Sequence, residues 1–152
     1  MNWDAAGAIG EIVGAVAVVL TLFYLARQIK ESSTQVKVNS LTALNTIYND
    51  AFLPIYNSRE NMNIWVTGLS SPEELSDVDR EIFFLLFMRL IAPFETVVVQ
   101  YRKGTLEEYD FQRYRKTMKS FAQTPGGRAW VATGQMDLST ESVKFLELGD
   151  AA

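Results

Sequence analysis

The sequence contains no cysteine and no histidine, and these two absences exclude more chemistry than any motif adds. Without cysteine there is no disulfide, no thiolate nucleophile and no Cys-ligated zinc or haem. Without histidine there is no imidazole base, no Ser-His-Asp arrangement and no His-bound metal. Catalysis would have to come from carboxylates, Lys, Tyr or Ser, so an enzyme is disfavoured and no cofactor is expected. Basic charge is also scarce: 14 Lys and Arg stand against 18 Asp and Glu, a net −4. Neither sign forms a long block, so no surface is built to neutralise phosphates and nucleic acid is not an expected partner. Finally, neither Gly nor Pro occurs between Gly14 and Pro54, so a helix entered early has nothing to stop it over that length.

What is present first is a long apolar run. Residues 5–26 are apolar or small except for Glu11 and Thr21, about 22 positions where about 20 cross a bilayer as a helix. A cleaved signal peptide fits poorly, because Asp4 and no Lys or Arg precedes the run, and Ala15-Val16-Ala17 would cut it in half. Arg27, Lys30 and Lys37 follow it. The bias of Lys and Arg toward the cytoplasm therefore predicts the N-terminus outside and the rest inside. Trp3 at one end, and Phe23 and Tyr24 at the other, are expected as aromatic anchors at the two interfaces, with Arg27 and Lys30 at the inner headgroups.

Within the run, Gly7, Gly10, Gly14 and Ala17 recur at steps of three and four and share one helix face, with Gly10 and Gly14 forming a GxxxG pair. Small faces let backbones approach, and helices associate in lipid through such packing, so self-association is favoured over the commonness of glycine in membrane helices. Glu11 is read as lying at the outer headgroups near the positive helix N-terminus. The sharper alternative places a ring of Glu11 carboxylates along an oligomer axis or interface.

The remainder reads as helices throughout. Lys37, Leu41, Leu44, Tyr48, Ala51, Phe52 and Ile55 repeat at helical steps, after a weak segment at Glu31-Ser32-Ser33-Thr34 that suggests a hinge. Ser71-Pro72-Glu73-Glu74 and Thr105-Leu106-Glu107-Glu108 have the form of capping boxes. Between them lies a central helix over 77–103, kinked at Pro93 and stopped by Gly104. Its run 82–88 is apolar on every side and should be buried all round. We place it at the centre of a bundle, ahead of an oligomer interface and then of contact with membrane. Arg89 and Glu95 would each be costly in lipid, and a second crossing is the competing topology. Leu106, Phe111, Tyr114, Met118 and Phe121 mark the next helix. Pro125-Gly126-Gly127-Arg128 precedes a short helix at Trp130, and a last one runs from Ser139 or Thr140 to Leu148.

The fold class expected is thus all-α: a single transmembrane helix (1–30, with a short outside tail) followed by a helical-bundle cytoplasmic domain (31–152). Chemistry has few footholds in it. Pro125-Gly126-Gly127-Arg128 lacks the spacing and Lys of a phosphate loop and reads as a turn. Glu107, Glu108 and Asp110 read as first-turn acids favoured by the helix dipole. Glu95, if buried, requires a partner. Arg89, six residues away, is poorly placed on the same helix, so a pair with Arg102, Arg113 or Arg115 is favoured over a catalytic acid.

The segments Ala8-Ile9-Gly10-Glu11, Tyr24-Leu25-Ala26-x-Gln28-Ile29, Trp65-x-x-Gly68-Leu69 with Pro72, Glu95 with Gln100-Tyr101-x-x-Gly104, and Pro125-Gly126-Gly127-Arg128-Ala129-Trp130 together resemble a set of uncharacterised bacterial proteins. Those proteins have one N-terminal span and a helical cytoplasmic domain. Val131 stands where they often carry a second Trp. The resemblance implies bacterial origin, inner-membrane anchoring and no particular activity. The functional expectation is a homo-oligomeric membrane assembly, as scaffold or ion-conducting pore. An accessory subunit of a larger membrane complex comes second and a carboxylate-dependent enzyme third. Membrane lipid, and itself or another membrane protein, are the expected partners.

Overall fold

Three capping serines, a capping threonine, two left-handed glycines and one break at proline divide the chain into its elements. The computed structural model describes residues 3–134 and 138–148, with side chains left out at 3–6 and 8. Every regular element among them is helical: α1 (Trp3–Tyr56), α2 (Arg59–Ser70), a 3-10 turn (Pro72–Glu74), α3 (Asp77–Ile91), α4 (Phe94–Arg102), α5 (Glu108–Ala122), α6 (Pro125–Ala132) and α7 (Thr140–Leu146). The expected all-α class holds. The chain forms two compact units, Met1–Val38 and Asn39–Ala152.

The first unit is helix alone. No hinge appears at Glu31-Ser32-Ser33-Thr34. The Thr34 hydroxyl donates to the Lys30 carbonyl at 3.1 Å, and Arg27 pairs with Glu31 at 2.8 Å. Both contacts are four residues apart along the helix, where they offset the weak intrinsic propensity of the segment.

The second unit is a bundle whose core draws on every helix. From α1, Leu44, Tyr48, Ala51 and Ile55 are buried at the four- and three-residue steps read from the sequence. Trp65, Phe83, Phe87 and Trp130 form an aromatic centre with centroids 5.1–6.1 Å apart. A second group gathers on Phe111, which stacks on Tyr101 at 4.0 Å and meets Phe145 edge-on at 5.0 Å. Rings packed this way add stabilisation beyond their area.

Glycine makes the closest approach possible. A Cβ on Gly126 would overlap the Gly68 carbonyl oxygen, and one on Gly68 would overlap the Phe83 ring. The first turn of α6 therefore rests directly on the backbone of α2.

Three local expectations are corrected. Neither capping box forms. Pro72–Glu74 closes its own 3-10 turn without a side-chain cap, and Ser76 caps α3 by accepting from the Asp79 amide. At the other site α4 ends in a left-handed Gly104 (φ +69°), with Gly104 N–H bonded to Tyr101 O and Thr105 N–H to Gln100 O. That paired closure is a Schellman motif, and it commits Thr105, whose hydroxyl also donates to Gln100 O. The third correction concerns Pro93, where the central helix is broken rather than kinked. Proline has no N–H to continue the ladder, and α4 restarts with Thr96 N–H on the Pro93 carbonyl at 3.0 Å.

Candidate functional site

Two surfaces carry apolar side chains that the fold does not cover, one in each unit. In the first, every described side chain from Ile9 to Val36 is exposed, including Ile12, Val16, Leu20, Leu22, Phe23 and Tyr24. By length and composition α1 is apolar enough to cross a membrane, and none of its most apolar stretch is buried. The Thr21 hydroxyl donates to the Ala17 carbonyl at 2.8 Å, so that hydroxyl is satisfied within the helix and needs no water. A Cβ added at Gly7, Gly10 or Gly14 would meet nothing within 4 Å. The small face is open, and Ala17 and Glu11 are exposed beside it. Phe23, Tyr24, Arg27 and Lys30 are exposed at the far end. Trp3 is helical, and its side chain lies outside the described residues.

The second surface lies on α3. The expectation that 82–88 is buried all round is corrected. Phe83, Leu86 and Phe87 are buried, but Leu85 is 60% and Met88 44% exposed. Val78 one turn earlier and Ala92 one turn later are exposed too. The bundle covers only one side of α3, where Phe83 packs on Trp65 of α2 and Phe87 on Trp130 of α6. Beside the exposed side runs an open groove of about 640 Å³, lined chiefly by Pro54, Ile82, Leu85, Met88, Ala92 and Trp130. The signal for this face was present in the sequence. Glu81 and Arg89 lie on the same side of α3, and charges at both ends mark that side as solvent-facing before the fold is known.

Arg89 and Glu95 are not brought together. The Arg89 guanidinium donates to the Asp50 carbonyl at 3.2 Å. Glu95 is half-buried and accepts the Ser139 amide at 2.6 Å. Ser139 is the N-cap of α7, where its own hydroxyl accepts from Ser142. Glu95 therefore acts as a second, long-range cap, a carboxylate at a positive helix end. Of the arginines expected to pair with it, Arg102 binds Glu141 at 2.8 Å, Arg113 binds Asp110 and Arg115 binds Glu147. The Arg102–Glu141 and Arg115–Glu147 pairs hold α7 against α4 and α5, and the Arg113–Asp110 pair lies within α5. Glu147, left-handed at φ 54°, takes both Lys119 and Arg115, and these, with the Lys119 bond foremost, hold its carboxyl below the usual carboxylate range.

The Gly-Gly-Arg segment also has a structural account. Thr124 caps α6 by accepting the Gly127 amide at 3.0 Å, and both glycines are buried against backbone. The amides that would cradle an anion are inside the packing. Among the described residues no group of three acidic side chains is placed to hold a metal ion.

No known family, curated protein or solved structure matches the chain.

Proposed function

We propose that this chain is a single-span protein of a bacterial inner membrane, with its N-terminus outside and residues 31–152 in the cytoplasm. We further propose that it assembles with copies of itself, as a scaffold or, if Glu11 rings the axis, as an ion-conducting pore. The observation that carries the reading is the uncovered helix. Ile9, Ile12, Val13, Val16, Val18, Val19, Leu20, Leu22 and Phe23 are all more than half exposed. Each such side chain forgoes about 1.5–3 kcal/mol that burial would supply. A soluble monomer does not sustain a patch of that size, so lipid or another chain must cover it. Arg27, Lys30 and Lys37 after the run, and none before it, support the orientation. The open face at Gly7, Gly10, Gly14 and Ala17 supports helix pairing in lipid.

A second candidate span, Asp77–Arg102, passes the same test of length and apolarity, but 44% of its most apolar window is buried in the bundle. Its core contacts support one crossing rather than two. On this reading the chain is not an enzyme.

Native mass spectrometry of the intact protein in mild detergent tests the assembly. A single defined oligomer that Gly10→Leu or Gly14→Leu dissolves is the expected result. A monomer with no copy bound overturns self-assembly and directs the search to a larger complex in which this chain is an accessory subunit. Accessibility of an N-terminal tag in spheroplasts tests the orientation, and protection of the tag from outside protease overturns it.

A further inference from the structure

The exposed face of α3 reads nearly the same in both directions. About Leu85 as centre, Val78 mirrors Ala92, the C-cap of α3, Glu81 mirrors Arg89, and the half-buried Ile82 mirrors the exposed Met88. The apolar members pair with apolar ones, and Glu81 pairs with Arg89; Asp77, the next member of that row, is already paired with Arg80. Glu81 is exposed and has no ion-pair partner among the described residues. Arg89 is exposed, and its single hydrogen bond is to a neutral carbonyl, that of Asp50.

From this we infer that the cytoplasmic face of α3 is a two-fold dimer contact, in which α3 of one copy crosses α3 of a second copy in the opposite direction with Leu85 at the axis. The inference rests on the membrane-assembly reading above and adds to it a second, cytoplasmic contact with a defined centre.

The packing rules supply the geometry. Glu81, Leu85 and Arg89 are four residues apart and form one i±4 row on the helix surface. In the commonest class of helix crossing the i±4 rows of both helices run side by side. A two-fold axis reverses the second row, so Glu81 of each copy lies beside Arg89 of the other, and two charge pairs flank a core of Leu85, Met88, Ile82 and Val78. Such a contact is isologous, the self-complementary form that closes at two copies. A patterned helix face without a direction would favour no partner. Here the opposite ends carry opposite charges, which is complementarity to a reversed copy and repulsion toward a parallel one, where like charge meets like.

A single helix-on-helix contact buries less than the roughly 1,000 Å² of a stand-alone interface. It therefore depends on the span, which confines copies to one bilayer and raises their effective concentration. The Leu85 groove then gives the second copy a place to seat its own Leu85 and Met88.

The chain's lack of cysteine makes the test direct. Packed helix axes stand about 8–10 Å apart and Cα atoms lie about 2.3 Å from each axis, so the two Leu85 Cα atoms come within about 3.4–5.4 Å, a range that overlaps the reach of a disulfide. Full-length Leu85→Cys, in native membranes with copper phenanthroline as oxidant, is expected to cross-link to a dimer. Tyr109→Cys, on the exposed side of α5, is not. Adding Glu81→Arg or Arg89→Glu to Leu85→Cys should weaken association about tenfold, since two symmetric pairs turn repulsive together. The double reversal Glu81→Arg/Arg89→Glu should restore the cross-link. Helix content and melting of each variant are followed by circular dichroism, and rescue by the double reversal excludes misfolding as the cause.

Failure of Leu85→Cys to exceed Tyr109→Cys, or failure of the double reversal to rescue, overturns the inference. If native mass spectrometry still shows an oligomer, the span alone carries assembly and only the α3 contact fails. A monomer there ends both. A Leu85→Cys thiol that meets no second copy but is shielded from a water-soluble maleimide by lipid, or by a co-purifying polypeptide, gives the face to that occupant and likewise overturns the dimer.

Discussion

The apolar stretch of α1 and the apolar run of α3 and α4 have almost the same mean hydropathy, yet none of the first is buried and nearly half of the second is. Hydropathy alone therefore does not decide whether a helix faces lipid or protein. What separates the two is side-chain size and interruption. The α1 stretch is built chiefly from Val, Ala, Leu, Ile and Gly, and its two rings, Phe23 and Tyr24, stand exposed at its end. The α3 run carries Phe83 and Phe87, large rings that find Trp65 and Trp130 within about 6 Å, with Phe84 against Phe83, and gains specific packing from them. It is also cut at Pro93 and carries Arg89, features that suit a bundle with water on one side.

The largest expected effect sharpens this contrast directly. Phe87→Ala, at a site with no exposure, should cost about 3–5 kcal/mol in urea unfolding of the full chain in mild detergent. Leu20→Ala in α1, where no protein cavity opens, should cost under about 1 kcal/mol by the same measurement. Equal losses would erase the distinction. Next in size is a charge placed in each helix. Val19→Lys should disfavour membrane insertion by about 3 kcal/mol and shift protein into the carbonate-extractable fraction. Phe84→Lys should leave membrane association unchanged while lowering the melting temperature, and release from the membrane would restore the second crossing.

Glycine offers a smaller, cleaner contrast. Gly126→Ala should destabilise by about 1–3 kcal/mol, because the added methyl overlaps the α2 backbone. Gly10→Ala should leave unfolding of the bundle within about 0.5 kcal/mol of wild type, measured by the same urea titration. Least in size is the response of α7 to acid. The Glu147 carboxyl is held low by Lys119 and Arg115, so its contribution is present above the unfolded carboxylate range, about pH 4.3. It is lost as pH falls through the lower folded value. Hydrogen exchange across α7 should accelerate in that window in wild type and show no such step in Glu147→Gln.

How far the sequence carried can be read at particular residues. Leu44, Tyr48, Ala51 and Ile55, and likewise Phe111, Tyr114 and Met118, were legible because helical periodicity alone places them on one face. The ends of helices were less so. Ser71 and Thr105 had the residues of a capping box, but a nearby Pro72 turn and the Gly104 closure took the same backbone groups first, and local pattern cannot rank such competitors. Glu95 shows the limit most sharply. Its partner is the Ser139 amide 44 positions away, a backbone group that no charge-pairing argument would propose. The partial exposure of α3 was misread because an unbroken apolar run hides its own direction, and only the flanking Glu81 and Arg89 betray it.

The contact between Gly126 and Gly68 limits how such a chain can diverge. Where Gly126 meets Gly68, the obstacle to a side chain is main-chain oxygen on one side and a core ring on the other. No compensating change at the partner position can make room, since the partner is already the smallest residue there is. The two positions therefore form a lock with no second key. Chains that share this bundle should keep both glycines while their surfaces drift, which makes the pair a fixed landmark for aligning sequences too distant to match elsewhere.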